Sequence, residues 1–139
     1  MLMQRYSYIL DLRISHRALD PDLVSRTLGL EPHLAWRTGD LRKTPKGTVL
    51  DGVRLAGYWS ANPFSYGWRS STDALIEDAL EELMECLFPH REFLNQLAES
   101  GSVQIWVSSE SDHNYALELP PRMLFRLASL GVTLIHDVY

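Results

Sequence analysis

The fold is decided by the stretch Tyr-Ser-Tyr-Ile-Leu-Asp-Leu-Arg-Ile-Ser at residues 6–15, in which apolar and polar side chains largely alternate. Successive side chains of a β-strand point to opposite faces, so this alternation places one set of residues on a single buried face. We therefore expect a strand that lines a hydrophobic core with Tyr6, Tyr8, Leu10, Leu12 and Ile14.

A short helix is predicted over residues 21–28, directly after this strand. Asp20 can accept hydrogen bonds from the free N–H groups at a helix start, and Pro21 suits the first helical position. Gly29 can adopt the left-handed conformation that commonly ends a helix.

The rest of the chain alternates between strand and helix patterns. The main helix is predicted to begin directly after a capping serine at Ser70 or Ser71, with Asp73 in its first turn, and to end at Phe88-Pro89. Its apolar residues fall at helical spacing: Ile76, Leu80, Leu83 and Leu87. The other predicted elements are brief strands near residues 34–37 and 58–60, a helix over 90–100, a hairpin of strands 103–107 and 115–119, a helix over 120–130 and a strand over 132–139. Residues 38–57 show no sustained period, although part of this segment could form a hairpin.

This order predicts an α+β fold in a single domain over residues 1–139. The sheet should be largely antiparallel, with the helices packed on one face. Residues 6–36 and 115–139 each contain a strand, a helix that begins with proline and an extended segment. This weak repeat is compatible with an arrangement that is ferredoxin-like in part.

Composition and charge narrow the classes of function. The single cysteine, Cys86, excludes an intrachain disulfide, and no apolar stretch approaches the length needed to cross a membrane. We therefore expect a cytoplasmic protein with no membrane partner. A net charge of −5 argues against a nucleic-acid partner. The five histidines are scattered and no standard catalytic or phosphate-binding motif is present, so we predict no catalytic residue, no metal site and no cofactor.

One group of residues is a candidate binding surface, since aromatic rings and guanidinium groups together can stack on planar ligands, bind anions or anchor a protein interface. The predicted binding residues are Trp36, Arg37, Asp40, Tyr58, Trp59, Trp68 and Arg69, with Arg54, Phe64 and Tyr66 in the same part of the chain. The alternative is that these rings form a small core beneath residues 38–57.

The sequence also resembles a known family. Leu28-Gly29-Leu30-Glu31-Pro32, then Trp36-Arg37-Thr38-Gly39-Asp40, then Gly57-Tyr58-Trp59 are similar to the bacterial family catalogued as domain of unknown function 4279. The resemblance implies a small bacterial intracellular α+β protein. It implies no activity, substrate or catalytic residue.

Three functional hypotheses follow. The first is a non-enzymatic binding module whose partner is either a protein, such as a toxin that it neutralises, or a small anionic or planar ligand. The second is an enzyme with a site built from dispersed residues, namely Arg37, Asp40 and His113. The third is a structural homodimer that joins through Trp106 and an open sheet face.

Overall fold

The computed structural model describes residues 5–64 and 67–139. Within these residues the strands are β1 (Ser7–His16), β2 (Leu34–Trp36), β3 (Leu41–Lys43), β4 (Val49–Val53), β5 (Gly57–Ala61), β6 (Arg69–Ser70), β7 (Ser102–Glu110) and β8 (Thr133–Val138). The helices are α1 (Pro21–Leu28), α2 (Ile76–Leu87), α3 (Arg91–Ser100) and α4 (Pro121–Ser129), with a 3-10 turn at Phe88–His90. None of these helices is long and apolar enough to cross a membrane.

The main sheet is built around β1. Its strand order is β2-β5-β1-β7-β8, and β6 pairs with the start of β1. All pairings are antiparallel except the one between β7 and β8, which is parallel. The predicted α+β fold with a largely antiparallel sheet is therefore confirmed.

Four strands of this sheet and three helices reproduce the split βαβ arrangement of ferredoxin-like folds. Helix α1 connects β1 to β2, and α2 with α3 lies between β5 and β7. The four strands β1, β2, β5 and β7 lie in the order β2-β5-β1-β7, each antiparallel to its neighbours. This is the β-α-β-β-α-β pattern, to which α4 and β8 add a parallel strand at one edge.

The core lies between the sheet and its helices. Buried and partly exposed residues alternate along β1 as the sequence predicts, with Tyr8, Leu10, Leu12 and Ile14 at most 2% exposed. The opposite face of the sheet keeps partly exposed residues at the alternate positions of β1. The helices therefore cover one face only, as predicted.

Helix α1 forms by the predicted local signals. The Asp20 carboxylate accepts hydrogen bonds from the Asp22 and Leu23 N–H groups. Gly29 ends the helix at a φ of 68°, a left-handed conformation that glycine adopts without steric cost.

The predicted start of α2 is wrong. Neither Ser70 nor Ser71 caps the helix, which begins at Ile76 without a side-chain cap on its own segment. The Tyr6 hydroxyl accepts the Ile76 N–H instead, at 3.0 Å, and the Ser71 hydroxyl accepts the Tyr6 N–H. The helix start is therefore capped by the residue that precedes β1, a contact between residues far apart in sequence.

The predicted return strand over residues 115–119 is also wrong, because these residues form no strand. Strand β7 pairs with β1 on one edge and with β8 on the other, so no edge remains for a hairpin partner. The alternating residues Tyr115, Leu117 and Leu119 instead pack against the core as an extended segment.

Residues 40–54 form a hairpin, here called the arm. Among the described residues, strands β3 and β4 pair only with each other. A hydrogen bond of 2.8 Å from the Arg54 N–H to the Asp40 carbonyl closes the base of the arm. The register shifts between Leu41 and Lys43, so the alternation of side chains is interrupted. This irregularity explains why the sequence shows no strand period here.

Candidate binding site

Trp59 belongs to the hydrophobic core and contributes no exposed surface. Its side chain is 0% exposed, and its indole N–H donates to the Ser25 hydroxyl at 3.0 Å. Trp59 therefore belongs to the main core and is neither part of an exposed binding surface nor part of a separate small core beneath residues 38–57. Tyr66 lies outside the described residues.

Trp68 and Arg69 lie at a different place from the other predicted binding residues. Arg69 pairs with Tyr8 near the start of β1, whereas Tyr58 pairs with Ser15 near its end. Seven residues of a strand span about 23 Å. The structure thus does not bring Trp68 and Arg69 together with the residues around Tyr58.

Arg37 forms ion pairs within the chain. Its guanidinium lies 2.9 Å from carboxylate oxygens of both Asp20 and Asp22, at the start of α1. Desolvation acts to raise the pKa of the Asp20 carboxyl, but hydrogen bonds from the Leu23 N–H and Arg37 outweigh it and lower the pKa below its ordinary value. Arg37 therefore ties the end of β2 to α1.

Trp36 and Tyr58 form the part of the predicted cluster that remains beside an open surface. Their rings stack at 4.7 Å between centroids and 22° between planes, and the Arg54 guanidinium carbon lies 3.7 Å from the Trp36 ring centroid. The Trp36 indole N–H donates to the Ala56 carbonyl at 3.0 Å. Trp36 thus joins β5 to the base of the arm.

A groove of about 640 Å³ lies between β2 and the arm. All three residues of β2 line one side of it, and Leu41, Lys43, Thr44 and Pro45 line the other. Asp40 and Arg54 complete it at the base of the arm. This volume falls within the range of ligand-binding clefts, roughly 300–1,000 Å³.

The groove runs along an unpaired strand edge. Strand β2 pairs with β5 on one side, and no strand of the described chain pairs with its other side. Such an edge presents backbone N–H and C=O groups that another chain can pair with.

The arm exposes apolar side chains over its whole length. Leu41 is 57% exposed and Leu55, just beyond the arm, is 85% exposed. Val49, Leu50 and Val53 are exposed as well. An isolated two-stranded hairpin is marginally stable in water, and exposed apolar patches often mark interaction surfaces.

The arm carries a local positive charge in an acidic protein. Residues 40–54 contain four basic residues and two acidic residues, Asp40 and Asp51, while the whole chain has a net charge of −5. None of the four basic residues forms an ion pair with the part of the chain that the structure describes. They are Arg42, Lys43, Lys46 and Arg54.

The residues suggested for a dispersed catalytic site do not converge. The His113 N–H donates to the Ser111 hydroxyl, which donates to the Arg5 carbonyl before the start of β1. Arg37 and Asp40 lie beyond the other end of β1, where Thr38 contacts the Arg17 carbonyl. Ten residues of strand separate the two places, roughly 33 Å.

Leu34, Leu41 and Lys43 line the groove but were missed by the sequence reasoning. For Leu41 and Lys43 the signal is the mixture of apolar and basic residues within residues 38–57. The shifted register of the arm hides the strand pattern that would have placed these two residues on a surface. Leu34 lies in the predicted strand over residues 34–37, and its exposure follows from the position of β2 at the edge of the sheet.

The comparisons agree with the resemblance noted in the sequence. The family model described as domain of unknown function DUF4279 matches residues 5–139. The chain belongs to this family. No curated protein and no solved structure shows a significant match to it. The family's description names no activity, ligand or partner.

Proposed function

We propose that this protein is a non-enzymatic binding module that holds another protein in the groove between β2 and the arm. The observation that carries the proposal is the arm itself, which projects exposed apolar side chains beside an unpaired strand edge. A bound protein would bury these side chains and stabilise a hairpin that pairs with no further strand of the described chain.

A protein partner is better supported than a small planar ligand. The Trp36 ring already contacts Tyr58 and Arg54, and its N–H is hydrogen-bonded. A planar ligand that stacked on this ring would have to compete with those contacts. The exposed apolar residues instead extend along the arm, over a length suited to a polypeptide.

An enzyme that uses Arg37, Asp40 and His113 is less well supported, because these residues lie at opposite ends of β1. The homodimer hypothesis rests on Trp106, which is only partly exposed. The Arg13 guanidinium covers part of it, 4.2 Å from the ring centroid. The groove therefore offers the more accessible apolar surface.

Site-specific photocrosslinking tests the proposal. A benzophenone amino acid at Leu41 should give one discrete adduct, identified by mass spectrometry and reproduced with the purified partner. The matched control is the same amino acid at Phe125, which is 73% exposed on α4, away from the groove. Equal adducts from both positions, or none from Leu41, would overturn the proposal. An adduct between two copies of this chain would favour the homodimer.

A further inference from the structure

Resting on the proposed function, we infer that the groove takes an extended, acidic segment of the partner protein, which adds a strand to the free edge of β2. Three features of the groove favour such a segment: an unpaired strand edge, apolar side chains and a net positive charge in the lining.

The edge of β2 supplies the backbone contacts. Strand β2 spans Leu34–Trp36 and is held in register by β5, with Ala35 opposite Trp59 and Trp36 opposite Tyr58. Because Trp59 is buried and Trp36 is packed against Tyr58, the strand is held in place before any partner binds. A preformed edge lowers the entropic cost of strand addition, in which main-chain hydrogen bonds supply much of the affinity.

The apolar side chains favour a segment with apolar residues at alternate positions. Leu34 is exposed on β2 and Leu41 is exposed on the arm, and both line the groove. In an added strand the side chains alternate between the two faces of the sheet, as they do in β2. Every second side chain of the segment would therefore lie on the same face of the sheet as Leu34 and Trp36.

The charge of the groove favours an acidic segment. Lys43 and Arg54 line it and have no carboxylate partner among the described residues. The one acidic residue of the lining, Asp40, accepts a hydrogen bond from the backbone N–H of Arg37 at 2.7 Å, and with Lys43 and Arg54 the lining keeps a net charge of +1. Since the chain as a whole is acidic, an acidic segment would be repelled elsewhere and attracted to the arm.

Synthetic peptides test the inference directly by fluorescence anisotropy. An octapeptide of alternating valine and glutamate should bind, and the version with lysine in place of glutamate should not. Two further versions carry N-methyl groups on alternate backbone amides: one is methylated at the odd-numbered residues and the other at the even-numbered residues. At least one should lose binding, because methylation removes the N–H groups that pair with an edge. If both methylated peptides bind as well as the parent, strand addition is wrong.

A pair of charge reversals tests the site. Lys43→Glu should weaken binding of the glutamate peptide by roughly fivefold, since an attraction becomes a repulsion. Arg122→Glu changes the net charge equally at an exposed position of α4 and should leave binding unchanged. Equal effects of the two variants would overturn the placement in the groove.

The two proposals fail in distinguishable ways. If no peptide binds while Leu41 still crosslinks to a protein partner, the acidic strand is wrong and the binding module stands. If Leu41 gives no crosslink either, both proposals are wrong.

Discussion

The hydrogen bond between Trp59 and Ser25 gives a quantitative test of the buried position of Trp59. Ser25→Ala leaves the indole N–H in the core without a partner, which should cost about 1–3 kcal/mol. Trp59→Phe removes that N–H together with part of the packed ring, at a cost of about 1.5–3 kcal/mol. In the double variant no N–H is left unpaired, so the two costs should not add. We expect the double variant to be about 1–2 kcal/mol more stable than the sum predicts.

Urea unfolding followed by far-UV circular dichroism measures the free energy of unfolding without relying on tryptophan fluorescence. The proteins compared are the wild type, the two single variants and the double variant. Ser129→Ala is the matched control, because the Ser129 hydroxyl donates to a carbonyl four residues earlier in α4, just as the Ser25 hydroxyl does in α1. Ser129→Ala and Trp59→Phe should add. If Ser25→Ala and Trp59→Phe also add to within about 0.5 kcal/mol, the indole N–H is not buried as described.

Three further predictions concern the scaffold. A Cβ at Gly101 would lie 2.2 Å from the Ser15 carbonyl oxygen, so Gly101→Ala should lower the melting temperature, whereas Gly67→Ala, with open space around it, should lower it far less. Burial raises the pKa of Tyr6 from 10.0 to about 12, so stability should be full below pH 10 and fall between about pH 10 and 12. Tyr6→Phe should make that fall smaller in unfolding titrations. Asp20→Ala removes both the cap of α1 and a partner of Arg37, so amide exchange in the first turn of α1 should accelerate, and unchanged exchange would contradict the capping role.

The elements that local signals decide could be predicted from the sequence. The alternation in residues 6–15 places β1 correctly, and Asp20, Pro21 and Gly29 place both ends of α1. In these cases a residue and its neighbours along the chain suffice to fix the conformation.

The wrong predictions of secondary structure lie where contacts between distant parts of the chain decide the conformation. The alternation at residues 115–119 looks like a strand, but β8 occupies the edge of β7 that this segment would need. The start of α2 is capped by Tyr6, which lies 70 residues away from Ile76 in sequence.

The candidate site could be predicted only in part, again because it depends on contacts between distant parts of the chain. The sequence placed Trp36, Tyr58 and Trp59 in one group, but the register of β2 and β5 puts Trp59 on the buried face and the other two on the opposite one. The arm forms one side of the groove, and its shifted strand register interrupts the alternation of apolar and polar residues that would predict its strands from the sequence.

Hydrogen–deuterium exchange with the peptide of alternating valine and glutamate tests most directly whether the groove beside β2 is the binding site. We expect new protection in Leu34–Trp36 and in residues 41–53 of the arm, with no change around Trp68 and Arg69. Protection at Trp68 and Arg69, or unchanged exchange throughout β2 under conditions that saturate the peptide, would contradict this expectation.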